Sequence, residues 1–93
     1  MCLEALRQEV DLINEELLKL LQKRAELAIE IGKYKSRHNQ PVYNYEREAK
    51  ILEKLQLKNN GPLQNASVKN IFEIIIKECR NLQTTNLNDV EEE

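Results

Sequence analysis

The chain has 93 residues, with 14 Lys and Arg set against 16 Asp and Glu, and its aromatic content is three Tyr and one Phe. That length supports one domain but is short for a self-sufficient core, so oligomerisation is expected. The net charge of −2 argues against a nucleic-acid partner, which calls for a basic surplus, and no apolar run is long enough to span a membrane. The start, MCLEALRQEV, has no signal-peptide pattern. Cys2 and Cys79 lie far apart without metal-ligand spacing and read as reduced thiols of a cytoplasmic protein.

Leu, Ile, Lys, Glu, Gln and Asn dominate, which favours an all-α chain. Leu3, Leu6, Val10, Ile13, Leu17, Leu20, Arg24, Leu27, Ile31 and Tyr34 recur at spacings of three and four. This heptad seam, with Arg24 as its intruder, predicts a helix from about residue 3 to about residue 36. Gly32 lies inside the pattern and points to a close approach rather than a break. Such a helix is ~50 Å long, whereas a compact chain of this size has a radius of gyration of only ~12 Å. Helix 1 must therefore project beyond its own core, and a second chain is expected to cover its seam.

SRHNQPVYN is a connector, since Pro41 disfavours helix at Gln40. His38 lies in this polar turn and reads as an exposed loop histidine. Asn44 is a plausible N-cap for a second helix, from Tyr45 to about Leu57. KNNGPLQNAS is a second turn, punctuated by Gly61-Pro62. A third helix is expected from about Ser67 to about Gln83, capped by Asn65 or Ser67. The polar, acidic TTNLNDVEEE is expected to fray. The division is thus a domain over residues 1–84 and an acidic tail or linker remnant over 85–93.

Each helix turns a strong hydrogen-bonding group toward its apolar face. Arg24 and Lys35 share a stripe with Ala28 and Ile31; Glu48 opens the stripe Ile51, Leu52, Leu55, with Arg47 beside it; Gln83 closes the stripe Phe72, Ile75, Ile76, Cys79. Singly, each has a structural explanation. Arg24 can set register in a coiled-coil seam, Glu48 can serve the helix dipole, and Gln83 can face water at a helix end. Jointly they leave an excess of cations, because Glu48 neutralises only one of Arg24, Lys35 and Arg47, and the remainder suits an anionic ligand. Arg7 lies about five turns before Arg24, ~25 Å away and ~100° round the helix. One small ligand cannot touch both in one chain, but an antiparallel partner helix can bring a second Arg7 alongside Arg24.

The segments LEALRQEVDLINEELLKLLQKRAELAIEIGKYK, PVYNYEREAKIL and IFEIIIKECRNLQ together resemble the AroQ-class, all-α chorismate mutases over residues 3 to 83. NNGPLQNASVKNIF is further similar to chorismate mutase domains fused to the N-terminus of 3-deoxy-heptulosonate-7-phosphate synthases. The resemblance implies an all-α fold of three helices per chain, with a long first helix in an intertwined homodimer. It implies conversion of chorismate, a dianion, to prephenate without metal, cofactor or covalent intermediate. Residue by residue, Arg24 and Arg7 of the partner subunit match carboxylate-clamping arginines. Lys35 matches the lysine on a carboxylate and the ether oxygen, and Gln83 the glutamine on that same oxygen. Glu48 matches the acid receiving the ring hydroxyl, and Arg47 its supporting arginine. Ile31, Ile51 and Ile76 match apolar wall positions.

Two positions depart from the pattern. Asn44 stands where some members have Asp, and its amide can still accept a hydrogen bond. Cys79 stands where some members have Ser near a carboxylate; a thiol is a weaker donor, and the same residue reads equally as a small core side chain. Three other functions share the sequence features. One is a regulatory domain that senses chorismate or prephenate for a fused or docked synthase. Another is a structural coiled-coil adaptor, for which Lys35 and Gln83 would be dispensable. The third is a lyase on the same scaffold that removes pyruvate from isochorismate.

Overall fold

A computed structural model of the chain describes residues 2–92, with side chains through Thr84. It contains helices α1 (Leu3–Arg37), α2 (Tyr45–Lys58) and α3 (Asn65–Glu92), in that order. Among the described residues there is no strand, and no helix is long and apolar enough to cross a membrane. α3 packs against both α1 and α2 and is the element on which the other two meet.

The boundaries have local causes. Cys2 caps α1, its Sγ accepting from the Ala5 N–H at 3.4 Å, and Glu4 and Arg37 suit the two poles of the helix dipole. At the other end the His38 N–H and the His38 Nδ1 both donate to the Tyr34 carbonyl, at 3.1 and 2.8 Å. The imidazole stacks on the Tyr34 ring with centroids 4.0 Å apart. Asn39 then takes a left-handed conformation (φ 55°), which Asn tolerates better than most residues. Asn44 is the N-cap of α2, as its sequence position predicts: its Oδ1 accepts from the Arg47 N–H at 3.1 Å.

α3 departs from expectation at both ends. It begins at Asn65, inside the segment assigned to the turn, and the Asn65 side chain does not cap it. Instead Asn65 Oδ1 accepts from Asn59 Nδ2 at 2.8 Å. Asn59 also donates to the Leu63 carbonyl at 2.8 Å and accepts from the Gly61 N–H at 3.1 Å, so one side chain organises the turn. Gly61 sits at φ +76°, a region open to glycine, and the Gly61-Pro62 bond is cis. At the C-terminus the backbone stays helical to Glu92 rather than fraying after Gln83. The segment contains no Gly or Pro to stop it.

The molecule measures 54 × 30 × 14 Å with a radius of gyration of 16.7 Å. Its thickness is little more than the diameter of one dressed helix, about 10–12 Å. Among the described residues, burial is confined to the crossing of α1 and α3, at Ala28, Gly32, Ile76 and Cys79. From Cys2 to Lys23 every residue is exposed, including Leu3, Leu6, Val10, Ile13, Leu17 and Leu20. The first half of α1 therefore projects from the core with its apolar seam uncovered.

Candidate active site

Where the C-terminal half of α1 faces α2 and α3, a cleft of about 330 Å³ opens. α1 supplies Arg24, Ile31 and Lys35 to its wall, α2 supplies Arg47, Glu48 and Ile51, and α3 supplies Ile76, Cys79 and Gln83. Asn44, the cap of α2, lines it as well. Every site residue predicted from the sequence is gathered here except Arg7. That residue lies on the exposed first half of α1 and does not line the cleft of its own chain.

Helical spacing explains the convergence. Arg24, Ala28, Ile31 and Lys35 occupy one stripe of α1, and Ile76, Cys79 and Gln83 one stripe of α3. Gly32 sets how closely the two stripes meet. A Cβ on Gly32 would lie 3.0 Å from Gln83 Cβ and 3.1 Å from Gln83 Cα, so the helices touch there backbone to side chain. The glycine predicted to mark a close approach thus marks the approach of α3. Gln83 Oε1 is buried at this contact and finds no hydrogen-bond partner among the described residues. Turning the amide exchanges Oε1 and Nε2, so Gln83 can offer an acceptor or a donor to a ligand.

Lys35 Nζ donates to the Val42 carbonyl at 2.8 Å, tying the connector to the end of α1. An ammonium has three donors, so this bond orients Lys35 without exhausting it. Asn44 has a comparable double position, since its Oδ1 already accepts the Arg47 N–H while the residue lines the cleft. Cys79 is buried and free, packed in the α1–α3 crossing. Arg24 and Lys35 are half-buried, and among the described residues no charged side chain is fully buried. The desolvation expected for these charges is thereby reduced, because the cleft is open on the side that the single chain leaves uncovered.

The expected charge pairing needs correction. Glu48 does not neutralise Arg24, Lys35 or Arg47; both its oxygens accept from Arg80 Nη1, at 2.7 and 2.8 Å. Arg80 also lines the cleft, and the sequence reading missed it. The signal was available, as Arg80 stands one helical step beyond Ile76 on the stripe that leads to Gln83. Hydrogen bonding to Glu48 raises the guanidinium's pKa above its ordinary value, against opposing desolvation. The Arg80 guanidinium carbon sits 4.0 Å from the centroid of the Tyr43 ring. Tyr43 in turn lies against Tyr45, with centroids 4.2 Å apart. Its phenol is raised above the ordinary value, first by the hydrogen bond with Tyr45. Leu27, Ala28 and Val42 complete the lining.

The cleft therefore presents three cations free of Glu48, a carboxylate held by a fourth, and an amide with a buried unsatisfied atom, beside aliphatic walls. Such a set suits a small anion with an apolar body.

Comparison with known proteins agrees with this chemistry. The profile of the family described as chorismate mutase type II matches residues 6–84. A bifunctional chorismate mutase/prephenate dehydratase of Aquifex aeolicus is 40% identical over 85 residues, covering 87% of this chain and 24% of that protein. The chain thus spans about a quarter of the length of this curated relative. Among solved structures, a chorismate mutase from Thermus thermophilus superposes with a TM-score of 0.86 at 36% identity, covering 87% of this chain and 92% of the other. A chorismate mutase from Helicobacter pylori, in complex with prephenate, superposes with a TM-score of 0.85 at 32% identity, covering 92% and 93%. The chain belongs to the type II chorismate mutase family.

Proposed function

We propose that this chain catalyses the rearrangement of chorismate to prephenate in the cytoplasm, as an intertwined homodimer whose domain comprises residues 1–84. The observation that carries the reading is the convergence of Arg24, Lys35, Glu48 and Gln83 on one cleft. The Helicobacter pylori relative with prephenate bound supports the choice of ligand.

The reaction is an intramolecular pericyclic shift in which one C–O bond breaks as one C–C bond forms. No proton needs to be removed, so the site requires neither a general base nor a nucleophile. Two effects remain. Arg24 and Arg7 of the partner subunit hold the two carboxylates, fixing the flexible pyruvyl arm over the ring in a reactive conformer, and Arg47 adds positive charge to the cleft wall. Lys35 and Gln83 donate to the ether oxygen, on which negative charge grows as the C–O bond lengthens. Glu48, with Asn44 beside it, accepts the ring hydroxyl, and Cys79 adds a weak donor near a carboxylate. Ile31, Ile51 and Ile76 wall the ring.

The dimer is supported by the uncovered seam of α1. Covering a side chain the size of Leu, Ile or Val contributes about 1.5–3 kcal/mol relative to leaving it exposed, and Leu3, Leu6, Val10, Ile13, Leu17 and Leu20 all await cover. The same pairing would deliver Arg7 to the neighbouring cleft.

A second reading makes the cleft a sensor for a fused or docked 3-deoxy-heptulosonate-7-phosphate synthase. It rests on the likeness of NNGPLQNASVKNIF alone. The Aquifex aeolicus relative is described as a chorismate mutase/prephenate dehydratase, which favours catalysis as the role of the domain. The test is an ultraviolet assay of chorismate loss by the purified chain, with identification of the product. Prephenate formation is expected. An inert protein, or one that instead releases pyruvate from isochorismate, would overturn the proposal.

A further inference from the structure

Arg80 raises a question that the pericyclic mechanism leaves open. A cleft that takes a dianion also contains a carboxylate, Glu48, whose charge opposes the ligand. Left alone, Glu48 would repel the ligand or bind one of the clamping cations. In the observed geometry Arg80 Nη1 instead bonds both of its oxygens, at 2.7 and 2.8 Å.

We propose that Arg80 is a positioning residue: it holds Glu48 as an oriented acceptor and cancels its charge, leaving Arg24, Lys35 and Arg47 to the dianion. This inference rests on the reading of the cleft as a chorismate site. Three observations carry it. The pair is not a loose surface contact, since only 21% of each side chain is exposed. Arg80 is fixed from a second direction by the Tyr43 ring 4.0 Å away, whose face favours a planar cation. A carboxylate offers about four lone-pair sites, so an oxygen already bonded to Arg80 can still accept a ligand hydroxyl. The pair also borders a second cavity of about 480 Å³, lined by Tyr43, Leu52 and Lys77 among others. Glu48 would otherwise have room to swing away from the cleft; the bond to Arg80 fixes which way it faces.

Arg80 touches the reaction through Glu48, so its effect must vanish when Glu48 carries no charge. A double-mutant cycle tests this with prephenate affinity by titration calorimetry, which reads even variants too slow to assay. Arg80→Leu is expected to weaken prephenate binding about tenfold or more in the wild-type background and less than about threefold in the Glu48→Gln background. Arg80→Lys, which keeps the charge without the planar stack, should recover part of the loss. If circular dichroism shows that Arg80→Leu lowers the folded fraction, Arg80→Gln replaces it in the cycle with the same two outcomes. Equal losses in both backgrounds would mean that Arg80 contacts the ligand itself, and no loss in either would mean that the pair is structural; each overturns the proposal. Wild-type protein that neither binds prephenate nor consumes chorismate would instead overturn the function proposed above, so the two failures are distinct.

Discussion

Gly32 and Gln83 meet so closely that a β-carbon on the glycine would stand 3.0 Å from Cβ of the glutamine. Alanine at position 32 therefore has two opposed effects. It improves the helix propensity of α1 by about 1 kcal/mol, and it overpacks the contact with α3 at a cost of about 1–3 kcal/mol. The net loss of stability is small, but the relief is a displacement of Gln83. Gly32→Ala should lower turnover about tenfold or more, since small misplacements at a reacting centre cost heavily, with only a slight shift in thermal unfolding. Steady-state kinetics beside a melting curve checks this, and wild-type turnover would show that the contact does not position the amide.

Removing a donor from the ether oxygen should cost about 3–4 kcal/mol of transition-state stabilisation, roughly 10²–10³ in turnover. Gln83→Ala and Lys35→Ala are each expected to show this with the fold intact. Gln83→Glu is a sharper probe, because a carboxyl must be protonated before it can donate. Activity should recover as the pH falls, and the cations lining the same cleft push that recovery to lower pH by favouring the ionised form. A flat pH–rate profile at wild-type level would remove Gln83 from the mechanism.

The uncovered seam of α1 predicts an obligate dimer. Sedimentation at micromolar concentration should show a two-chain species, and Leu17→Glu, which sets a charge into the seam, should both dissociate and unfold it. A folded, fully active monomer would be incompatible with the proposed architecture.

Arg7 is expected to act across the subunit boundary. Mixing an Arg7→Ala chain with an Arg24→Ala chain, each inactive alone, should restore activity, because a heterodimer carries both lesions in one site and neither in the other. Native mass spectrometry can confirm that heterodimers form. Absence of recovery in their presence would argue against a shared site.

Asn59 provides a control for stability without chemistry. Its side chain makes three hydrogen bonds in the turn between α2 and α3, to Leu63, Asn65 and Gly61. Each contributes about 0.5–1.5 kcal/mol net, less where water can replace it. Asn59→Ala should therefore lose about 1–2 kcal/mol in urea unfolding, with turnover unchanged at temperatures where the protein stays folded.

Periodicity and capping chemistry are local properties, and these were legible in the sequence. The helix carrying the seam from Leu3 to Tyr34 and the Asn44 cap are observed, and the stripes of α2 and α3 correspond to the observed inward faces. Once each helix has a face, the residues on those faces are the candidates for any shared cleft. That is why Arg24, Lys35, Glu48 and Gln83 could be named before they were seen together.

What the periodicity does not carry is how one helix is rotated and shifted against another. Glu48 and Arg80 are 32 residues apart, and their pairing depends on how α2 lies on α3. The partner of Glu48, the Lys35 bond to the Val42 carbonyl and the use of Asn65 by Asn59 rather than as a cap were all decided by tertiary packing. The same holds for the identity of the residue that Gly32 admits. A stripe says that a side chain faces inward; only the packed arrangement of helices, each able to slide by a residue or turn by tens of degrees at little local cost, says which atom it meets.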